Sequence, residues 1–355
     1  MSWYTTLGNA REHVIRSETK YIRNFKNTPF TCRMDKLQKD QLLSKLEKLL
    51  DANGFKKMLD AKSDLYELFS FAEKGFCDAD ETMLSQVSPK STEQFSLPDT
   101  SLYFNEPCSL SVAVGGKDML VIRSLLSGLA IGETQSIALE AEELFDREFE
   151  FAYSHEMGYL SPFIQNCGSG EVFSTLLFLP AIKETGDIES VRAMASMQSC
   201  SLLPFSRGEE NLGGLYLLSH SPSHRCDHVR DMELFCSLVT MIIEKEKLSE
   251  GIIFNEKRKI IIEEARRALG TLLFARSIEE SELLETWRKI RICLITHGEN
   301  GILPNVTFLT LNRILAECMS FSVLASHTEC ASQDELDEKR AQILQKILSE
   351  TSDKA

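Results

Sequence analysis

The hydrophobic pattern changes period twice along the chain, from helical to alternating and back to helical. In Asp35–Asn53, Leu42, Leu43, Leu46, Leu49 and Leu50 share one helical face, and Gly54 supplies a stop. A second helix is expected over Ser63–Lys74, and Cys77–Thr100, rich in Ser, Pro, Asp and Thr, reads as a linker or mobile loop. Ser109–Val114 then alternates with period two, as a half-buried strand does, ahead of a Gly115-Gly116 turn and a second strand over Met119–Leu126. Thr134–Ala152 returns to helical spacing through Ile137, Ala141, Leu144, Phe145 and Phe149. The turn Gly168-Ser169-Gly170 feeds an apolar run, Val172–Leu179, that stops at Pro180. A helix near Asp187–Met197 and strands near Ser201–Phe205 and Leu215–Leu218 follow. The long helix Asp227–Leu248 places Val229, Met232, Phe235, Cys236, Val239, Ile242 and Ile243 inward.

From Gly251 the period is helical to the end. Ile260, Ala265, Ala268, Leu269 and Leu272 mark one helix, Leu283–Leu294 with Trp287 a second, and Phe308–Ser320 a third. The last begins at Ser332, where Glu335 completes a capping box, and its apolar face is Leu336, Ile343, Leu344, Ile347 and Leu348. Consecutive strands joined by tight glycine turns favour an antiparallel sheet with helices packed on it, an α+β fold. Three units are expected: a mainly helical N-terminal domain with its linker over 1–95, the sheet-bearing domain over 96–250, and a helical C-terminal domain over 251–355.

Composition narrows the class. At 355 residues, with 43% hydrophobic and 26% charged residues, the chain has the make-up of an ordinary globular protein. No apolar run reaches the roughly 18 to 20 residues of a membrane span, and Met1–Thr6 lacks an apolar signal core, so a cytoplasmic location is expected. The ten cysteines show no C-x-x-C spacing, and Cys236, Cys293 and Cys318 sit in apolar runs, as reduced buried thiols do. A net charge of −14 argues against general nucleic-acid binding, and an anionic nucleotide would need concentrated local positive charge. His220, His224, Cys226 and His228 are ligand types that bind zinc, but their spacing matches no common zinc module; polar loop residues are the simpler reading.

The stretch His155–Ile182 carries a longer pattern. Gly158-Tyr159-Leu160, Asn166, Gly168, Gly170, Ser174 and Leu179-Pro180-Ala181 fall in register, without a gap, with a loop-and-strand segment of the ATP:guanidino phosphotransferases. The chain resembles that family, and most closely the bacterial McsB-type protein-arginine kinases, over nearly its whole length and most firmly over 105–182. The resemblance implies an antiparallel catalytic sheet, Mg-ATP as phosphoryl donor, and arginines that cradle the triphosphate while carboxylates align a guanidine.

Position by position, the charged residues depart. The family's S-R-x-R-x-x-R-N falls on Ser17–Asn24, where Ser17, Arg23 and Asn24 match but Glu18 and Lys20 replace the two phosphate-facing arginines. N-E-E-D-H-x-R falls on Gly115–Val121, keeping only Asp118; Lys117 replaces the key carboxylate, and Val121 the arginine, with Arg123 two residues on and facing the same side of a strand. In the central loop Phe163 stands for the family cysteine, Cys167 lies four residues late, and Val172 takes the arginine position. R-G-x-x-G-E falls on Leu202–Arg207, with Glu209 and Glu210 just beyond, and R-D-x-x-R-A, which docks phosphoarginine, reads Leu336-Asp337-Glu338-Lys339-Arg340-Ala341. The site carried over is therefore Asp118 and Glu210 as carboxylates, with Lys20, Arg23, Arg123, Ser174 and Arg207 toward the nucleotide. Losing one transition-state donor typically costs about a hundred- to thousandfold in rate. The expectation is a weak or inactive relative that works by binding protein: a zinc-finger activator, a kinase protomer, or a second copy. The alternative is an active protein-arginine kinase using relocated residues.

Overall fold

Strand β1 (Val14–Arg23) runs through the middle of an eight-stranded sheet. The computed structural model describes residues 2–59, 70–75, 100–105, 109–205, 213–220, 228–299, 302–304, 306–327 and 332–352. The other strands are β2 (Lys56–Leu59), β3 (Ser101–Phe104), β4 (Leu110–Val114), β5 (Leu120–Ser127), β8 (Glu171–Phe178), β9 (Cys200–Pro204) and β10 (Leu215–His220). Their order is β2-β3-β4-β5-β1-β8-β10-β9, with every neighbouring pair antiparallel. The segment 1–95 thus contributes two strands besides its helix α1 (Lys36–Ala52), which Asp35 caps in a capping box with Gln38. A small hairpin, β6 (Tyr153–Ser154) with β7 (Gly158–Tyr159), precedes β8. The helix expected from Ser63 is described only at 70–75, and the Cys77–Thr100 stretch lies outside the described residues apart from Thr100.

Alternation sorts the side chains between two layers. Tyr21, Tyr103, Leu120 and Ile122 pack on α1 and on α2 (Ile131–Asp146), while Phe173, Leu177 and Leu218 pack on α3 (Pro180–Thr185), α4 (Ile188–Met197) and α5 (His228–Ile253). Leu102, Phe104, Leu125, Leu176 and Phe178 leave the opposite face and join the core of the C-terminal helices. Those helices are α6 (Arg258–Phe274), α7 (Glu280–His297), α8 (Phe308–Glu317), α9 (Ser320–Ser326) and α10 (Gln333–Ser352). The fold is α+β, an antiparallel sheet flanked by helices, as expected.

Three local expectations change. Helix α2 stops at Asp146 because Phe149 and Phe151 turn back onto Phe25, at ring separations of 4.9 and 6.0 Å. Val229, expected inward on α5, is 62% exposed. The helix expected over Phe308–Ser320 breaks after Glu317, and α8 and α9 meet at 69°. Carboxylates from elsewhere satisfy the amides freed at the break: Ser320 N–H donates to Glu280 at 2.8 Å, and Phe321 and Ser322 N–H donate to Glu73 at 3.2 and 3.0 Å. Among the described residues no single helix is long and apolar enough to cross a membrane.

Arg291 of α7 joins the C-terminal helices to the turn that leads into β1. Fully buried, it donates to the Glu12 and Arg11 carbonyls and lies 5.0 to 5.5 Å from the rings of Phe308, Trp287 and Phe178. Close by, Glu246 accepts from Ala181 and Ile182 N–H at 2.7 and 2.9 Å, at the start of α3. His13 Nδ1 and Glu250 Oε1 face each other at 3.7 Å, too far for a hydrogen bond. Burial lowers His13 to about 4 and, with Glu246 adding to it, raises Glu250 to about 8, so the two meet uncharged at neutral pH. For Glu250 the folded value lies above the ordinary one. Its stabilising contribution is complete below the ordinary value of 4.5 and is lost as pH rises through about 8. Glu250→Gln is therefore expected to raise the thermal midpoint more at about pH 9 than at about pH 5. Equal shifts at both pH values would show that ionisation of this carboxyl is not the cause.

Candidate functional site

The glycine loop is built on β1 from below. Gly158 (φ +72) lies against Gly168, where an added Cβ would come within 2.4 Å of the Gly168 carbonyl. Tyr159 N–H donates to Gly168 O at 2.7 Å, and Ile22 N–H to Gly170 O at 2.7 Å. Arg23, 1% exposed, fills the space under the turn. Its Nη1 donates to the carbonyls of Ile22, Ser169 and Gly170 at 2.8, 3.1 and 3.3 Å, its Nε to Glu142 of α2, and its guanidinium lies over the Tyr159 ring. Asp118, 5% exposed, ties the loop from its other side. One oxygen accepts from Asn24 Nδ2 at 2.8 Å and Ser161 Oγ at 2.7 Å, the other from Asn166 Nδ2 at 2.9 Å. Asn24 closes the network by accepting from Met119 N–H at 3.0 Å and donating to Leu160 O at 3.1 Å. Cys167 is buried, its thiol 3.5 Å from the Ser161 carbonyl.

The face of the sheet turned toward the C-terminal helices carries a different set. Registers align Lys20 with Arg123 and Val172, and Glu18 with Leu125 and Ser174, so these side chains leave the same side. Arg123 is 2% exposed and its Nε lies 2.8 Å from Glu18 Oε1. Arg16, one row further and 4% exposed, lies 5.4 and 5.9 Å from the Trp3 and Phe205 rings. Burial lowers its guanidinium to about 10, opposed by Glu18 and assisted by Arg123, which places all three groups within electrostatic reach. Ser174 and Ser219 hydroxyls share a 3.0 Å hydrogen bond beside them.

Of the seven residues expected at the site, the structure brings together Lys20, Arg123 and Ser174. Arg23, expected to meet the nucleotide, points through the sheet the other way, because odd positions of β1 face α2. Asp118, expected as a catalytic carboxylate, lies at the edge of the loop with both oxygens engaged. Arg207 and Glu210 lie outside the described residues, as do His224 and Cys226; among the described residues no group of three or more His, Cys, Asp or Glu could hold a metal ion. Arg340, the remaining arginine of the phosphoarginine motif, is fully buried and donates to the carbonyls of Cys318 and Ile278 at 3.0 and 2.6 Å, to Ser320 Oγ at 2.9 Å, and to Asp337.

One cluster escaped the sequence reading. Glu171, 1% exposed, heads β8 on the α2 side and accepts from Tyr21 OH at 2.6 Å and Gln135 Nε2 at 2.9 Å, while His228 Nδ1 lies 2.7 Å away. The signal was an acid at the mouth of an apolar run, one residue before the expected strand. The Glu171 contact raises His228 above its ordinary value, with burial opposing, and burial and Glu171 push the Tyr21 hydroxyl well up.

Comparison with known proteins agrees with this architecture. Lombricine kinase superposes with a TM-score of 0.55 at 14% identity, covering 71% of this chain and 72% of that one. The duplicated taurocyamine kinase from Schistosoma mansoni, with transition-state analogue components bound, gives 0.54 at 15% identity, over 76% of this chain and 40% of that one. These likenesses define the fold class, that of the phosphagen kinases. The family described as ATP:guanido phosphotransferase, C-terminal catalytic domain, matches residues 24–249, and the chain belongs to it. Similar relatives are protein-arginine kinases from Brevibacillus brevis, 22% identical over 98% of this chain and 95% of that one, and Halothermothrix orenii, 23% identical over 86% and 87%.

Two outcomes follow from the geometry. Asp118→Ala strands three donors and is expected to destabilise the fold by about 3 kcal/mol or more, measured by denaturant unfolding; an unchanged midpoint would show that the loop does not hang on this carboxylate. For His228 the folded value is raised, so its contribution is complete below about 6.5 and lost as pH rises through the higher folded value. The thermal midpoint of wild type should therefore fall more than that of His228→Gln between about pH 6 and pH 8.

Proposed function

We propose that this chain is a protein-arginine kinase relative that has kept the guanidino-phosphotransferase scaffold and acts by binding protein rather than by phosphoryl transfer. The observation that carries this reading is the row on β1. A triphosphate lying across this face would meet Glu18, and one like-charge contact at about 4 Å is worth on the order of 4 kcal/mol of repulsion near a protein surface. The buried cations do not offset it in accessible form: Arg16 and Arg123 are 4% and 2% exposed, Val172 and Leu202 supply no charge at the family's other arginine positions, and Lys20 is the half-buried cation of the β1 row. Mg-ATP therefore fits this face poorly.

A second reading has one observation in its favour. Lys20, Arg123 and Ser174 do share a face, as an active kinase with relocated residues would require. Relatives named protein-arginine kinase supply the reaction for that case: transfer of the ATP γ-phosphate to arginine side chains. Under the first reading the partner is a zinc-finger activator protein, a kinase protomer or a second copy of the chain. The C-terminal helices are the proposed contact, with Ile260 and Phe274 of α6 55% and 85% exposed.

Calorimetry with Mg-ATP and incubation with labelled ATP separate the two. The expected result is affinity weaker than micromolar and no acid-labile label on arginine. Low-micromolar binding, or acid-labile label on the protein or an added substrate, would overturn the binding-protein reading.

A further inference from the structure

Helix α5 carries two apolar faces. Phe235, Leu238, Val239, Ile242 and Ile243 turn inward and share a core with Phe173, Leu177 and Leu218 of the sheet. Leu234, Met241, Leu248 and Ile252 do not: they are 50, 41, 73 and 75% exposed. These four recur at intervals of seven, seven and four residues. The whole interval is about five helical turns, so they form one line about 27 Å long. Apolar residues scattered singly over a surface are ordinary, whereas a line of them marks a contact. A spacing of seven is the one that keeps two helices in touch when they cross at a shallow angle.

The line is symmetric about Met241, with Leu234 and Leu248 seven residues to either side. Laid antiparallel across a two-fold axis at Met241, a second α5 sets its Leu248 against Leu234 and its Met241 against Met241. Charge selects the same direction. Glu233 and Lys247 are both exposed and flank the line on one side, near its opposite ends. Antiparallel pairing brings Glu233 to Lys247 of the second copy, twice over by symmetry; parallel pairing would set them beside Leu238 and Ile252 instead. On the other side Lys245 Nζ bonds Ser190 Oγ of α4 at 2.8 Å, so α4 borders the line there.

We propose that this face of α5 docks a second copy of the chain, antiparallel and centred on Met241. The occupant is a second copy because the face complements itself in both its apolar spacing and its flanking charges. The inference stands apart from the question of phosphoryl transfer, and it places the contact on α5 rather than on α6. One helix pair buries less than the roughly 800 Å² per partner of a standard interface, so a reversible dimer is expected, with a Kd on the order of 10 μM.

The test is sedimentation velocity on the full chain from about 1 to about 200 μM, which brackets that value. Wild type is expected to pass from monomer to dimer across the range. Met241→Glu sets two carboxylates face to face at the axis and should raise the dissociation constant at least about tenfold, with the thermal midpoint unchanged. Glu233→Lys and Lys247→Glu should each weaken the dimer, and the two together should restore it, because the exchanged charges meet again. Mild oxidation of Met241→Cys should give a disulfide between residues 241 of two copies, identified by peptide mass. Val229→Cys, 62% exposed but off the line, should give none. A chain that stays monomeric throughout, a dimer indifferent to Met241→Glu, or one that the charge exchange does not restore would each overturn the proposal. Affinity for Mg-ATP is measured separately and decides only the function.

Discussion

Alternate side chains of β1 leave the central sheet in opposite directions, and the ten residues of that strand govern both what supports the loop and what faces a ligand. Ser17, Thr19, Tyr21 and Arg23 point toward α2. There Ser17 accepts from Ala130 N–H, Thr19 bonds Thr134, Tyr21 bonds Glu171 and Arg23 bonds Glu142. Arg16, Glu18 and Lys20 point the other way, into the row shared with Arg123 and Ser174. A one-residue slip of register would exchange these rows and put a full set of buried donors against the wrong partners. The β-bulge between Val14 and Arg16 sits where the strand leaves this constraint, and there Val14 and Ile15 enter different cores.

The same period explains how far the sequence could be read. Strand β4 follows from alternating apolar positions, β5 and β10 from short apolar runs, α1 from its leucine face and the Gly54 stop, and α10 from the Ser332–Glu335 box, whose two hydrogen bonds are present at 3.2 and 3.3 Å. The pairing of Lys20 with Arg123 across β1 and β5 is a finding of the structure, since Val14–Arg23 is not read as a strand from its pattern. What stayed hidden were pairings between residues far apart in the chain. Nothing local marks Arg23 as the partner of Glu142, 119 residues on, or Glu171 as the acceptor for Tyr21 and the neighbour of His228. Arg23 is carried over to the nucleotide because it matches the family's arginine motif, and only the strand seen in the structure shows that it faces α2. The break between α8 and α9 was hidden for the same reason. The carboxylates of Glu73 and Glu280 that cap it come from distant segments.

Positions that agree with the family and positions that depart from it differ in what their side chains hold. Arg23, Asn24, Asn166, Gly158, Gly168 and Gly170 belong to one connected network beneath the loop. Arg23 and Asn24 are buried donors with more than one acceptor, Asn166 is a half-buried donor to Asp118, and Gly158 lies against the backbone of Gly168. Removing one partner of such a network leaves a buried group unsatisfied, at a cost of about 1 to 3 kcal/mol for a neutral group and more for a charge. Glu18, Lys20 and Val172 are only half-buried, and of the three Glu18 is held by a buried partner, Arg123 at 2.8 Å.

That asymmetry gives the departures a direction. An arginine pair that faces an empty cleft is self-repelling, and only a bound polyanion relieves it; without the polyanion the pair is a standing cost to the fold. A glutamate in the first of those positions, set between Arg16 and Arg123, removes the cost permanently. The proposed function follows from this, since a phosphate on this row would have to displace the Glu18 carboxylate. On the reading proposed above, stability of the empty fold and affinity for a triphosphate pull on the same atoms of Glu18 in opposite senses.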